Sequence, residues 1–287
     1  ASAEYGLKYA NNEVCYPATL VVGDIIKALD SGEHDLSRTA VIMTQTGGQC
    51  RASNYIQLIK KGMAEAGYID APVPSLAFGS GLVNEQSGFT LNWRKILPVT
   101  LASILFGDCI AKFYHSAAVR EKNPGDALKL RDHYLEAAKA CIQANSPSSI
   151  YKLLGLAAKS FNEITVPDDT LPKVGVVGEI YLKFNSFAHK RVVHWLVEQK
   201  IEVMPPVLTD CFMQSFVNSR VRQKTHLEKA SMPQFVPDLA YALVWHQIKK
   251  VNRIASEYRY FTPFHDIFTS AKYGEEIVSL SNQFGEG

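Results

Sequence analysis

The sequence predicts an α/β protein of two lobes, each built on a parallel sheet, with a helical insertion between them. Three observations carry this. Strand-like and helical runs alternate from Thr39 to Phe78, and they do so again from Lys173 to Met204. Each alternation is strand, helix, strand within about forty residues, the pattern of a right-handed βαβ unit whose strands are parallel. Between the two, residues 98–162 carry apolar side chains at helical spacing. The domain boundaries read as 1–97 for the first lobe, 98–165 for the helical insertion and 166–287 for the second lobe with its helical tail. A length of 287 residues suits two compact units.

Taken in order, the first lobe opens with Asn12-Glu-Val-Cys15-Tyr-Pro17. Pro17 stops any helix from running back through the cysteine, and Ala18 to Leu29 is helical by its apolar spacing (Leu20, Val21, Ile25, Ile26, Leu29). A buried strand follows at Ala40 to Met43, within an extended run from Thr39 to Thr44. Next come a polar turn with Gly47 and Gly48 and a helix from about Ala52 to Ala66, closed by Gly67. Ala71 to Phe78 is the second extended segment, ended by Gly79-Ser-Gly81. In the insertion, Asp126 to Ala144 and Ser148 to Phe161 are helical, joined through Asn123-Pro-Gly125 and Asn145-Ser-Pro147. Val166 to Pro172 reads as a linker. Lys173-Val-Gly-Val-Val-Gly178 then opens a buried strand, Val192 to Lys200 is helical, and Glu202 to Met204 is extended. The tail from Pro237 to Phe261 reads as one aromatic-rich helix stopped by Thr262-Pro263.

Composition narrows the function. Hydrophobic residues at 47% and charged residues at 20% are ordinary for a globular protein, and the net charge is only +2. Basic residues are scattered, so no nucleic-acid surface is expected. No apolar run reaches the roughly 18 residues of a membrane span, and the N-terminus lacks a basic region before an apolar core, so a cytoplasmic protein is expected. Five cysteines without C-x-x-C spacing argue against a disulfide framework and against a zinc ribbon. The start at Ala1 and the end at Gln283-Phe-Gly-Glu-Gly287 suggest a segment of a longer protein.

The chemistry gathers at the turn after the first strand. Cys50 and Arg51 stand where a helix begins. There the helix dipole and its unpaired N–H groups favour a thiolate, and Arg51 adds a cation. Gly47 and Gly48 let backbone N–H groups approach an anion or an inorganic sulfide. Cys15 also leads into a helix, 35 positions earlier, so the two thiols can converge at one sheet edge as ligands of an iron–sulfur cluster. Two cysteines alone are weak evidence of metal, and buried or incidental positions are the commoner reading of such a pair. A third ligand could be Cys211, which also fits apolar core; Cys109 and Cys141 read as small core residues. Glu179, after Gly178 at a strand end, is placed for acid–base work, for binding a polar group, or for plain solvation. Asn185 and His189 fit helix caps or ligands, and His115 reads as structural. Gly175 and Gly178 lack the third glycine of a dinucleotide fingerprint, and no P-loop, zincin or α/β-hydrolase motif occurs.

Three stretches carry a resemblance: Cys15 to Leu29, Met43 to Tyr55 and Val174 to Asn185. They resemble the long proteins of the CoA-substrate-specific enzyme activase family, relatives of the activator of 2-hydroxyglutaryl-CoA dehydratase. The segment is similar to the part of those proteins that itself resembles the 2-hydroxyacyl-CoA dehydratase subunits. The resemblance implies Rossmann-like lobes and a [4Fe-4S] cluster held by three cysteines, with Cys15 and Cys50 at two ligand positions and the third beyond Gly287. It further implies iron–sulfur-dependent electron transfer or radical dehydration of a 2-hydroxyacyl-CoA. The expected partners are an ATPase portion of the same parent protein or a dehydratase, with acyl-CoA as a candidate ligand. A non-catalytic module that docks the ATPase portion to its partner is the competing expectation.

Overall fold

A computed structural model describes residues 2–11, 13–45, 55–77, 92–168, 170–178, 180–226 and 233–277. The chain divides into two compact units, 1–90 and 91–285. In the first, α1 (Ser2–Tyr9) lies against α2 (Tyr16–Asp30), and α3 (Tyr55–Glu65) packs on both. Helix α2 starts where Cys15 turns extended (φ −60°, ψ 143°), and Pro17 falls in its first turn, where the missing N–H costs nothing. It ends as the Ser31 hydroxyl donates to Ala28 O at 2.7 Å. Gly6 and Gly23 let α1 and α2 touch backbone to backbone. A Cβ at Gly23 would stand 1.9 Å from Ser2 O, and one at Gly6 would stand 2.0 Å from Thr19 O. Val22 and Ile26 of α2 meet Ile59 and Met63 of α3 in this unit's core, with Val73 beside them.

Strand β1 (Met43–Gln45) runs parallel to β2 (Ser75–Ala77), with Thr44 opposite Leu76. Val41 N donates to Pro72 O at 2.9 Å and extends the ladder by two residues. The pairing and direction agree with the expected βαβ unit, but the strand is shorter than 39–44 and is half-buried on one face only, where Val41 and Met43 pack against the core. Ile42, between them in the extended run, points to the other side and is 54% exposed.

The second unit is mainly helical. Helices α4 (Trp93–Ala118), α5 (Asp126–Gln143) and α6 (Pro147–Ile164) pack together, and α10 (Phe235–Ala255) joins α4 and α6. Asn92 caps α4 by accepting from Lys95 N, so the helix begins five residues before Pro98, which sits inside it. Ser146 caps α6 in the same way through Ser149 N. The shared core is aromatic: Phe113 meets Phe161 at 5.6 Å, Tyr258 at 4.9 Å and Phe261 at 5.7 Å between ring centres, mostly edge to face. That core explains why the expected helix from Pro237 to Phe261 stops at Ala255. The turn after it carries Tyr258, Tyr260 and Phe261 inward, and a continued helix would spread them round its circumference. Helix α4 is long and apolar enough to cross a membrane by length and composition, contrary to the sequence expectation. Ala102, Leu105, Cys109, Ile110 and Phe113 on it are wholly buried in this core, the position of a core helix.

Strand β3 (Lys173–Gly175) runs parallel to β4 (Glu202–Met204), with α7 (Ile180–Phe184) and α8 (Val192–Glu198) in the crossover. The expected burial of β3 is not found. Lys173, Val174 and Gly175 are all exposed, whereas Glu202 and Val203 of β4 are buried. Helix α9 (Leu208–Lys224) follows β4, and α11 (Ile267–Glu275) packs on α9. The described residues are thus mostly helical, with two separate two-stranded parallel pairs among them.

Candidate functional site

Of the two expected cluster ligands, Cys15 lies among the described residues. It is exposed at the start of α2, and its Sγ lies 3.4 Å from Tyr55 Oη. Tyr55 is the first residue of α3 and is itself buried. In a parallel βαβ unit the helix following a strand starts at that strand's carboxyl edge. The thiol–phenol contact therefore brings the start of α2 to the start of α3, at the edge where β1 ends. In the sequence, Cys50 is five positions before Tyr55. Cys50, Gly47, Gly48, Arg51 and Glu179 lie outside the described residues. Tyr55 is the member of this arrangement that sequence reasoning missed. Its only signal was its position at the first apolar residue of the helix.

The other candidates separate cleanly. Cys109 is fully buried in α4, and burial pushes its thiol well up. Cys141 packs at the edge of the same core. Cys211 lies in the first turn of α9, where burial raises its thiol and keeps it protonated at neutral pH. Asn185 closes a turn after α7, and His189 bonds the first residue of α8 from two positions before its Arg191 N-cap. Asn185 Oδ1 accepts from Phe187 N (3.0 Å) and Ala188 N (3.2 Å), and His189 Nδ1 accepts from Val192 N (3.2 Å) at the start of α8. Among the described residues no three His, Cys, Asp or Glu side chains gather as a metal centre would need.

Sequence reasoning also missed a polar cluster where α9 begins. Val207 gives α9 no side-chain cap. Asp108 supplies it from α4, accepting from Leu208 N (2.9 Å), Thr209 N (2.8 Å) and Thr209 Oγ1 (2.6 Å). Burial raises its carboxyl, and these hydrogen bonds oppose the rise. Lys112, one turn further along α4, donates to Thr262 O at 2.9 Å and stands 4.5 Å over the Phe264 ring. Burial lowers its ammonium, opposed by the nearby Cys109, Asp210 and Asp108. A second buried group ties β4 to α4. Arg120 Nη2 meets Glu202 Oε2 at 2.7 Å, Nε donates to Asp168 O at 2.6 Å, and Nη1 donates to Ser116 O at 2.9 Å. The guanidinium is stacked 4.2 Å from the Tyr260 ring. Its polar directions are spent on structure, so it reads as a clamp.

Compared with protein-family models, with curated proteins and with solved structures, the chain matches none.

Proposed function

We propose that this chain is the dehydratase-like segment of an activase-like protein and that Cys15 and Cys50 are two ligands of a [4Fe-4S] cluster. The single observation behind the reading is the place of Cys15: an exposed thiol at a helix start, beside Tyr55 and at the carboxyl edge of a parallel pair. An exposed cysteine with a phenol in hydrogen-bonding reach suits an iron–sulfur ligand, whose sulfur is tuned by such contacts. When bound, the cluster would supply low-potential electrons for radical dehydration of a 2-hydroxyacyl-CoA. In this reading Tyr55 donates its hydroxyl proton to the Cys15 sulfur and fixes the ligand's direction. The amides of Gly47 and Gly48 donate to sulfur, Arg51 offsets negative charge, and Glu179 moves a proton. The two parallel pairs are then the cores of two Rossmann-like lobes. The partner would be an ATPase portion of the same parent protein.

The test is anaerobic reconstitution with iron and sulfide of a chain extended past Gly287. The reading expects the broad visible absorption of a cluster, lost in Cys15→Ala and in Cys50→Ala and retained in Cys141→Ala. Tyr55→Phe should keep the cluster and lower its reduction potential, because one hydrogen bond to sulfur is gone. A chain that takes up no cluster, or a cluster that survives both ligand replacements, would falsify the proposal.

A further inference from the structure

We propose that the face formed by residues 172–178 and 180–200 docks an extended, acidic and apolar polypeptide segment, which adds a strand to the free edge of β3. The inference is tested apart from the cluster reading, whose assay reads Cys15, Cys50 and Tyr55; Glu179, which that reading uses, falls within this stretch in sequence and enters the docking argument only in the charge count.

Four observations carry it. First, among the described residues of 172–200 none is buried, although parallel strands normally have both faces covered. Large apolar side chains stand in solvent there: Val177 at 89%, Phe187 at 88%, Trp195 at 55%. Apolar exposure on this scale in one stretch marks a contact surface.

Second, β3 has one neighbour, β4, among the described residues. Glu202 N donates to Pro172 O at 2.9 Å and Val176 N donates to Met204 O at 3.4 Å, so the even-numbered residues face β4. Strand alternation then turns the N–H groups of Lys173 and Gly175 to the open side, where an added strand would accept from them.

Third, the charge is one-sided. The stretch holds five Lys or Arg and two Glu, and Lys190, Arg191 and Lys200 make no ion pair among the described residues. An acidic partner is the complement.

Fourth, Lys190 and Arg191 are consecutive residues in the left-handed region (φ 50° and 59°). Their backbone N–H groups donate to Phe187 O (3.1 Å) and Ser186 O (2.8 Å). The tip therefore holds an aromatic ring and two cations in a strained arrangement, as binding sites often do. A lipid surface fits less well. The apolar side chains are spread over a strand, a loop and two short helices, and a bilayer offers no partner for an open strand edge.

The experiment is amide hydrogen exchange of the whole chain with a ten-residue peptide of alternating Glu and Val as probe, beside its Lys–Val counterpart and phosphatidylserine vesicles. Protection of residues 172–200 by the Glu–Val peptide alone supports the proposal. Phe187→Ser and Lys190→Glu, both exposed positions, should each weaken that binding roughly tenfold. Gly175→Pro removes an outward N–H and leaves the β4 ladder intact, and it should abolish the protection. Overturning results are no protection by the Glu–Val peptide, equal protection by both peptides, protection by vesicles alone, or self-association that shields the face without any probe. The cluster assay uses other residues, so either idea can fail alone.

Discussion

His115 sits inside the second unit with its Nδ1 buried and no hydrogen-bond partner among the described residues. Burial pulls its pKa down to about 4, and His194 and Arg131 push in the same direction. The folded protein therefore holds a neutral imidazole, while the unfolded chain takes up a proton near pH 6.5. Between those values the unfolded state binds more protons, so this contribution to stability is complete above about pH 6.5 and is lost as the pH falls towards 4. Between pH 7 and pH 5 the loss should be roughly 2 kcal/mol. His115→Leu should remove it. Urea unfolding at the two pH values would show a smaller difference for the variant than for the parent chain. Equal differences would mean that the imidazole is protonated in the fold.

Among the elements, the contact of α1 with α2 and the middle of α4 give opposite answers to one substitution. Gly23→Ala puts a methyl group 1.9 Å from the Ser2 carbonyl oxygen. Backbone cannot swing aside as a side chain does, so α1 must lift off at a cost of about 1–3 kcal/mol. Gly107 lies inside α4, and a Cβ there meets nothing within 4 Å. Gly107→Ala should stabilise by about 0.5–1 kcal/mol, since alanine loses less backbone freedom in a helix. Chemical denaturation of the two variants reads both signs, and limited proteolysis should cut Gly23→Ala first within residues 2–9. A destabilised Gly107→Ala would show that α4 is more closely packed at that point.

On the scale of the whole chain, what was legible follows from the range of each force. Helices α2, α3, α5 and α6 could be read because their apolar spacing and their Ser, Pro and Asn punctuation are local. The parallel pairing of β1 with β2 and of β3 with β4 followed from the helix between each pair. The cap on α9 could not be read, because Asp108 lies 101 positions from Thr209. Nor could Arg120 with Glu202, 82 positions apart. The end of α10 was misplaced because Tyr258, Tyr260 and Phe261 suit a helix locally and are claimed instead by the aromatic core. Of the candidate site, Cys15 was legible from Pro17, but its contact with Tyr55 needed the fold. These differences in burial predict an order of thiol reactivity. Under native conditions Cys15 should be alkylated first, Cys141 and Cys211 more slowly, and Cys109 only when the second unit opens. Arg120→Met removes the guanidinium and leaves the buried Glu202 carboxylate with Lys173 at 3.5 Å as its remaining ion partner, a loss of about 3 kcal/mol, the low end for a broken buried pair. It should therefore speed alkylation of Cys109 roughly a hundredfold and leave the rate at Cys15 unchanged. Mass mapping of the labelled peptides over time measures both. If Cys109 reacts at the parent rate in Arg120→Met, the buried ion pair does not hold that core closed.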